Sequence, residues 1–398
     1  MKIGFASRTL AATCALCAAG LLALAPTAAA ARTGPDPDPP GGQQATTPRP
    51  ALLYRPGTHV RPNADVSRPP RVSALSWLVA DADTGEVLAA RNAHRELPPA
   101  STLKTLFALT VLPTLPVGIR HRVSEEELAG IGPGSSLVGV AEGRTYKVAD
   151  LWRGVFLSSG NDAVRVLASL NGGWRFTAAR MQDKARALGA LDTRVLSPDG
   201  YDTPGQVSSA YDLAVFGRAG LRNADFARYC GTADAWFPGR NGWSYRIRNT
   251  NRLLTGADGV DPYPGLIGIK NGYTSKAGNT LVAAARHGDR TLVVTVLNPQ
   301  AGGGFAVYEE AGELLDWGFD AAGRVEPVGS LDALRAKPRP GPVTDPVVAA
   351  VASEGGGRSQ PSGVGWAEAW AIAGAAGVGA GFISLVLRAR FFELVDPD

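Results

Sequence analysis

The sequence predicts an α+β fold: an antiparallel sheet flanked by helices, a helical lobe beside it, and a C-terminal transmembrane helix. Three observations predict it. Segments that read as strands stand at both ends of the central chain, helical spacing fills the interval between them, and a long uncharged stretch lies near the C-terminus. Strands drawn from both ends of a domain must pair across whatever lies between them, so the helical interval is displaced to one side as a lobe.

The N-terminal segment, residues 1–31, has the layout of a cleaved signal peptide. Lys2 and Arg8 precede an uncharged run from Thr9 to Ala25, and Ala28-Ala29-Ala30-Ala31 supplies small residues for cleavage. Residues 32–73 are rich in proline, glycine and polar residues and read as a disordered linker. The catalytic-size domain then runs from about residue 74 to 322.

Within that domain, SWLVADADTGEVLAARN alternates around Asp83-Thr84-Gly85 and reads as a β-hairpin. Residues 101–220 carry helical spacing, as in ADLWRGVFL and FTAARMQDKARALGA. GLIGIKNGYT, GNTLVAAARHGDR and TLVVTVLN read as strands, the last two joined at Gly288-Asp289, and FAVYEEAGELLDWGF as a closing amphipathic helix.

A second Pro/Gly-rich linker covers residues 323–365. Ala369 to Leu387 is free of charge and spans about 28 Å if helical, enough to cross the hydrocarbon core of a bilayer. Trp366 and Trp370 at its start and Arg388 and Arg390 just past its end predict a span over residues 366–388. They also place the domain outside and residues 389–398 in the cytoplasm.

A net charge of +4 on 398 residues, with no basic stripe, argues against a nucleic-acid partner. Export leaves Cys230 as the single mature cysteine, so no internal disulfide is expected. His59, His94, His121 and His287 are scattered without ligand spacing, so neither a metal nor another cofactor is expected. Asp83-Thr84-Gly85 matches a short aspartic-protease signature, but it has no second copy and a hairpin turn accounts for it.

The lysines are informative because there are only seven: Lys2, Lys104, Lys147, Lys184, Lys270, Lys276 and Lys337. Lys104 lies in PPASTLKTLFALTVLP, an otherwise apolar segment bounded by prolines. Ser101 and Lys104 are three apart in a helical turn and project side by side. Desolvation lowers the pKa of such an amine and suits it to take a proton from the serine hydroxyl. An N-cap serine beside a lysine that snorkels to water is the plain alternative.

Ser159-Gly160-Asn161, between two helical stretches, offers a hydroxyl and an amide for a proton relay and a substrate carbonyl. Asn161 could equally cap a helix beginning at Asp162. Lys270-Asn271-Gly272 places a cation on a strand, where it would attract a carboxylate, and a glycine that lets substrate approach. Asn-Gly is also a hairpin signal, although Ser275-Lys276-Ala277-Gly278-Asn279 makes the better turn here.

Taken together, S-x-x-K, S-x-N and K-x-G in this order resemble the serine D-alanyl-D-alanine carboxypeptidases, the low-molecular-mass penicillin-binding proteins. The resemblance runs from Ala74 to Trp317 through ADADTGEVLAARNAHRELPPASTLK, GRTYKVADLWRGVFLSSGNDA, SPDGYDT, SSAYDLAVF and GIKNGYTSKAGNTLVAAA. It implies the fold shared with serine β-lactamases. It makes Ser101 the acylated nucleophile, Lys104 its base, and Ser159 and Asn161 the relay and substrate clamp. Lys270, Asn271, Gly272 and Tyr273 become the substrate-binding strand, with the backbone N–H groups of Ser101 and Tyr273 as the oxyanion hole. Peptidoglycan stem peptides are the implied substrates and β-lactams the implied covalent inhibitors.

Two departures stand out. Members of the resembled family usually have threonine or serine where Asn271 stands, a hydroxyl that meets the substrate carboxylate. Many also carry a second, β-rich domain. A serine β-lactamase and a catalytically weakened wall-binding homologue are the alternative readings, although no dedicated deacylating glutamate is identifiable by motif.

Overall fold

The computed structural model describes residues 52–63, 65–332 and 334. A short 3-10 turn, Leu52–Tyr54, precedes strand β1 (Thr58–Pro62), and β2 (Ser76–Asp81) and β3 (Glu86–Arg91) form the expected hairpin. Its turn is held by Asp81 Oδ1, which accepts from the N–H groups of Asp83 and Thr84, both at 2.9 Å. A second 3-10 turn, Ala100–Leu103, opens into α1 (Lys104–Val111). Next come β4 (Arg120–Arg122), α2 (Glu125–Leu128), β5 (Thr145–Lys147), α3 (Val148–Leu157), α4 (Asn161–Leu170) and α5 (Trp174–Ala187). Then follow α6 (Ala210–Leu221), α7 (Ala224–Cys230), the hairpin β6 (Asp234–Pro238) and β7 (Ser244–Arg248), and α8 (Arg252–Thr255). The chain returns through β8 (Leu266–Thr274), β9 (Gly278–His287) and β10 (Arg290–Leu297) to α9 (Ala306–Ala321), β11 (Val325–Glu326) and β12 (Gly329–Ser330).

The main sheet has the order β11-β1-β3-β2-β10-β9-β8, with β12 paired to β3, and every pairing is antiparallel. Its centre joins the two chain ends: β10 pairs with β2 from Leu292↔Asp81 to Leu297↔Ser76. Both faces are buried, and the period of two decides which side chain serves which. Leu78, Ala80, Val282, Ala284, Val293 and Leu297 join the core shared with α1, α3, α4 and α6. Trp77, Val79, Leu281, Ala283, Leu292, Val294 and Val296 face α9, which buries Val307, Ala311, Leu314 and Leu315 along one stripe. Burial at this depth contributes about 1.5–3 kcal/mol for each large aliphatic side chain.

The ordered fold is larger than the domain expected from composition. Residues 32–73 read as linker, yet β1 lies within that span and pairs with β3, and Leu53 and Val72 are buried. Prolines suit this segment because it runs near the edge of the sheet, where fewer N–H groups are needed. At the other end β11 and β12 extend the fold past residue 322, with Val325, Val328 and Leu331 buried. The stretch 101–220 is not helical throughout: β4 and β5 pair inside it. The β6–β7 hairpin, for which the sequence offered no reading, is a further addition. Among the described residues no helix is long and apolar enough to cross a membrane. The expected signal peptide, the span at 366–388 and the tail lie outside the described residues, as do half of the first linker and most of the second.

Candidate active site

Pro98 and Pro99 prevent a helix from running back through them, so the turn that carries Ser101 begins abruptly. Ala100 sits at φ +49°, a left-handed conformation that a residue with a side chain adopts only when its surroundings demand it. The Ala100 carbonyl packs so closely on Gly200 that a Cβ there would collide with it. Ser101 and Lys104 share one face, and Lys104 Nζ donates to Ser101 Oγ at 2.8 Å and to the Asp199 carbonyl at 2.7 Å. Lys104 does not reach solvent: it is 1% exposed, among Leu103, Leu106 and Phe107. The snorkelling alternative therefore fails. Burial pushes the ammonium down to about 8, against the opposing pull of Asp199 and Asp162.

The second wall is the corner between α3 and α4. Ser159 turns the chain at φ +57°, and its buried hydroxyl has no hydrogen-bond partner among the described residues. Helix α4 starts at Asn161 itself, with Gly160 as its N-cap and no side-chain cap, so Asn161 does not cap a helix starting at Asp162. The Asn161 side chain points elsewhere. Its Nδ2 donates to Ser135 Oγ at 3.1 Å, while buried Oδ1 is unpartnered among the described residues. Asp162 does the anchoring instead. Its carboxylate accepts from the N–H groups of Val138, Gly139 and Val140 at 3.0, 2.7 and 2.8 Å, binding the neighbouring loop to the helix start.

The third wall is β8, the last strand of the sheet. It continues through Lys270-Asn271-Gly272 to Thr274 and turns at residues 275–277, so Asn271-Gly272 is strand and not a hairpin turn. Lys270 is 2% exposed, and burial together with the nearby Lys104 lowers its pKa well below the usual lysine range. Its Nζ donates to the Asn271 carbonyl at 2.8 Å. Gly272 passes the nucleophile at close range: a Cβ would lie 2.6 Å from Ser101 N and 2.9 Å from Thr280 Oγ1. Tyr273 is 68% exposed at the mouth of this edge.

The structure thus joins Ser101 to Lys104 by a hydrogen bond, Gly272 to Ser101 by close approach, and Lys270 and the Asp162 end of α4 to Lys104 through their charge. Three further contributors escaped the motif reading. The Asp199 carbonyl holds the base, Thr280 Oγ1 donates to the Pro99 carbonyl at 3.1 Å, and Thr250 Oγ1 donates to Asn271 Oδ1 at 2.9 Å. A backbone carbonyl and two isolated threonines leave no sequence signal. Asp199-Gly200 and Thr280 lie in stretches that already carried the resemblance, and Thr250 lies outside them.

The profile of peptidase family S11, described as D-alanyl-D-alanine carboxypeptidase, matches residues 63–301, more than half of the chain. The chain belongs to this family. Among curated relatives, the S11 chain is 40% identical over 261 residues to D-alanyl-D-alanine carboxypeptidase DacB2 of Mycobacterium tuberculosis, covering 65% of this chain and 86% of that one. It is 35% identical to D-alanyl-D-alanine carboxypeptidase DacD of Escherichia coli, covering 63% of this chain and 64% of that one. In three dimensions this S11 chain resembles the crystal structure of D-alanyl-D-alanine carboxypeptidase from M. tuberculosis. The TM-score is 0.62 at 38% identity, covering 68% of this chain and all of that one. It also resembles penicillin-binding protein 6B from E. coli, with a TM-score of 0.56 at 34% identity, covering 65% of this chain and 81% of that one.

Proposed function

We propose that this chain removes the terminal D-alanine from D-Ala-D-Ala-ended peptidoglycan stem peptides through an acyl-enzyme on Ser101, and that β-lactams acylate the same serine. The observation that carries this reading is the 2.8 Å contact between Ser101 and a lysine buried deeply enough to lose its proton near neutral pH. Family membership supplies the substrate class.

Neutral Lys104 takes the Ser101 proton as Oγ attacks the carbonyl carbon of the penultimate D-alanine. The oxyanion is received by the backbone N–H groups of Ser101 and Tyr273, on either side of the slot that Gly272 keeps narrow. Preorganised donors of this kind lower a barrier by about 3–4 kcal/mol each. As the C–N bond breaks, the proton returns through the Ser159 hydroxyl to the departing amine. Water then attacks the ester with Lys104 again as base, and Ser101 is regenerated. Asn161 holds the substrate amide, and Lys270 faces the carboxylate side. In a β-lactam the same attack opens the strained amide, and the amine stays tethered to the acyl group.

Mass spectrometry of the purified domain after penicillin treatment should place one adduct on the peptide that holds Ser101. A D-Ala-D-Ala peptide should release free D-alanine. An adduct elsewhere, or none, overturns the assignment.

We further propose that the domain is exported and tethered by residues 369–387, a reading supported by their lack of charge and by the flanking tryptophans and arginines. Truncation at about residue 360 should then release active protein into the medium. Full-length protein found free in the culture fluid contradicts the tether.

A further inference from the structure

We propose that Thr250 is a positioning residue for substrate recognition: it holds the Asn271 amide so that only N–H donors face the incoming terminal carboxylate. The inference rests on the carboxypeptidase reading above. It accounts for the asparagine that stands where the resembled family usually has a hydroxyl.

Asn271 carries one acceptor oxygen and two N–H groups. Thr250 Oγ1 donates to Oδ1 at 2.9 Å, which occupies the acceptor end of the amide. Burial raises the pKa of the nearby Tyr308 phenol, and the Asn271 side chain opposes part of that rise. Tyr308 is itself fixed. It is buried on α9, its hydroxyl donates to the Thr250 carbonyl at 3.2 Å, and Arg252 Nη1 donates to its oxygen at 3.4 Å. With Oδ1 taken by Thr250, the Nδ2 end of the Asn271 amide is left as a donor to spare.

That spare donor belongs to the residue that follows Lys270, on the sheet's outermost strand. A carboxylate accepts hydrogen bonds and is repelled by a carbonyl oxygen, so an amide serves as its receptor only in one of its two orientations. The bond from the Thr250 hydroxyl ties Oδ1 down and so holds the amide in that orientation. Thr250 is exposed and lies 21 positions from Asn271 in sequence, so its place here is made by the α8 segment folding against β8.

The test uses Thr250→Val, which keeps the shape and removes the hydroxyl, beside Thr250→Ser and the double variant Thr250→Val/Asn271→Thr. Two quantities are measured: KM for a D-Ala-D-Ala peptide with a free carboxylate, and Ki of the same peptide as its C-terminal amide. Thr250→Val should raise KM for the acid about tenfold, in line with a weakened hydrogen bond to a charged group, with kcat changed little. It should leave Ki for the amide unchanged. Thr250→Ser should behave as wild type, and Asn271→Thr should restore acid recognition by returning a hydroxyl to the strand. Equal losses for acid and amide would mean a general disturbance and overturn the proposal, as would an unchanged KM. A wild-type chain that takes no penicillin on Ser101 overturns the functional reading itself. A chain that is acylated while Thr250→Val keeps full preference for the acid overturns this inference alone.

Discussion

The two sides of the cleft are built on opposite plans. On the nucleophile side, Ser101 and Lys104 sit three residues apart on one turn, and the chemistry comes from dehydration: an amine with almost no exposure, one partner hydroxyl and one carbonyl. On the carboxylate side, Asn271 is half-buried, and its Oδ1 is tied to a side chain from another segment, Thr250. The difference teaches that reactivity here is set by removing water, whereas recognition is set by counting hydrogen bonds. Damage to the first should collapse the rate. Damage to the second should degrade affinity and leave the chemistry running.

The hardest blow to that contrast is Lys104→Arg. A guanidinium cannot surrender its proton near neutral pH, so acylation should fall by about 10³-fold, the middle of the range for loss of a general base. Stopped-flow with a fluorescent penicillin checks this, with thermal unfolding as the control for folding. A variant that acylates at nearly the wild-type rate would place the base elsewhere.

Gly272→Ala probes the seam between the two sides. Its Cβ would press on Ser101 N and Thr280 Oγ1 at 2.6 and 2.9 Å, so the strand or the nucleophile must shift. Misplacement of that size costs about 10²-fold in rate. The acylation rate constant should drop far more than the affinity for the peptide carboxylate, and the reverse pattern would dissolve the distinction drawn above.

The mildest test is pH. Burial lowers the Lys104 ammonium to about 8, and in the proposed mechanism the active form is the neutral amine. Protonation removes the base, so the acylation rate should rise as pH increases and level off above about 8. The gain from pH 7 to the plateau is about tenfold, the ratio set by one pKa unit. Carboxylate affinity should not follow the same curve. A flat acylation profile between pH 6 and 9 would show that Lys104 does not change charge there.

How much of this was legible beforehand follows the same division. Ser101 and Lys104 stood out because i,i+3 spacing is a property of the chain itself and because an ammonium in an apolar run conflicts with its surroundings. The β2–β3 and β9–β10 hairpins were legible for a related reason, since alternation and turn residues act over a few positions. Strand β1 was lost to its prolines, and β11 and β12 are too short to show a period.

The sequence by itself determined the local geometry of the nucleophile, the order of the three motifs, and the alternation that buries both faces of the sheet, because each depends on neighbours within a turn or a strand. Only the tertiary structure decided that Asn161 bonds Ser135 instead of capping its helix, that the Asp199 carbonyl accepts from Lys104 Nζ, that Thr250 bonds Asn271, and that Tyr308 bonds the Thr250 carbonyl. Those partners lie 21 to 95 residues apart in four of the bonds concerned, counting Asn161–Ser135 at 26 and Tyr308–Thr250 at 58. Such bonds are selected by which polar groups the collapsed core leaves in need of one another, and no spacing in the chain encodes that need.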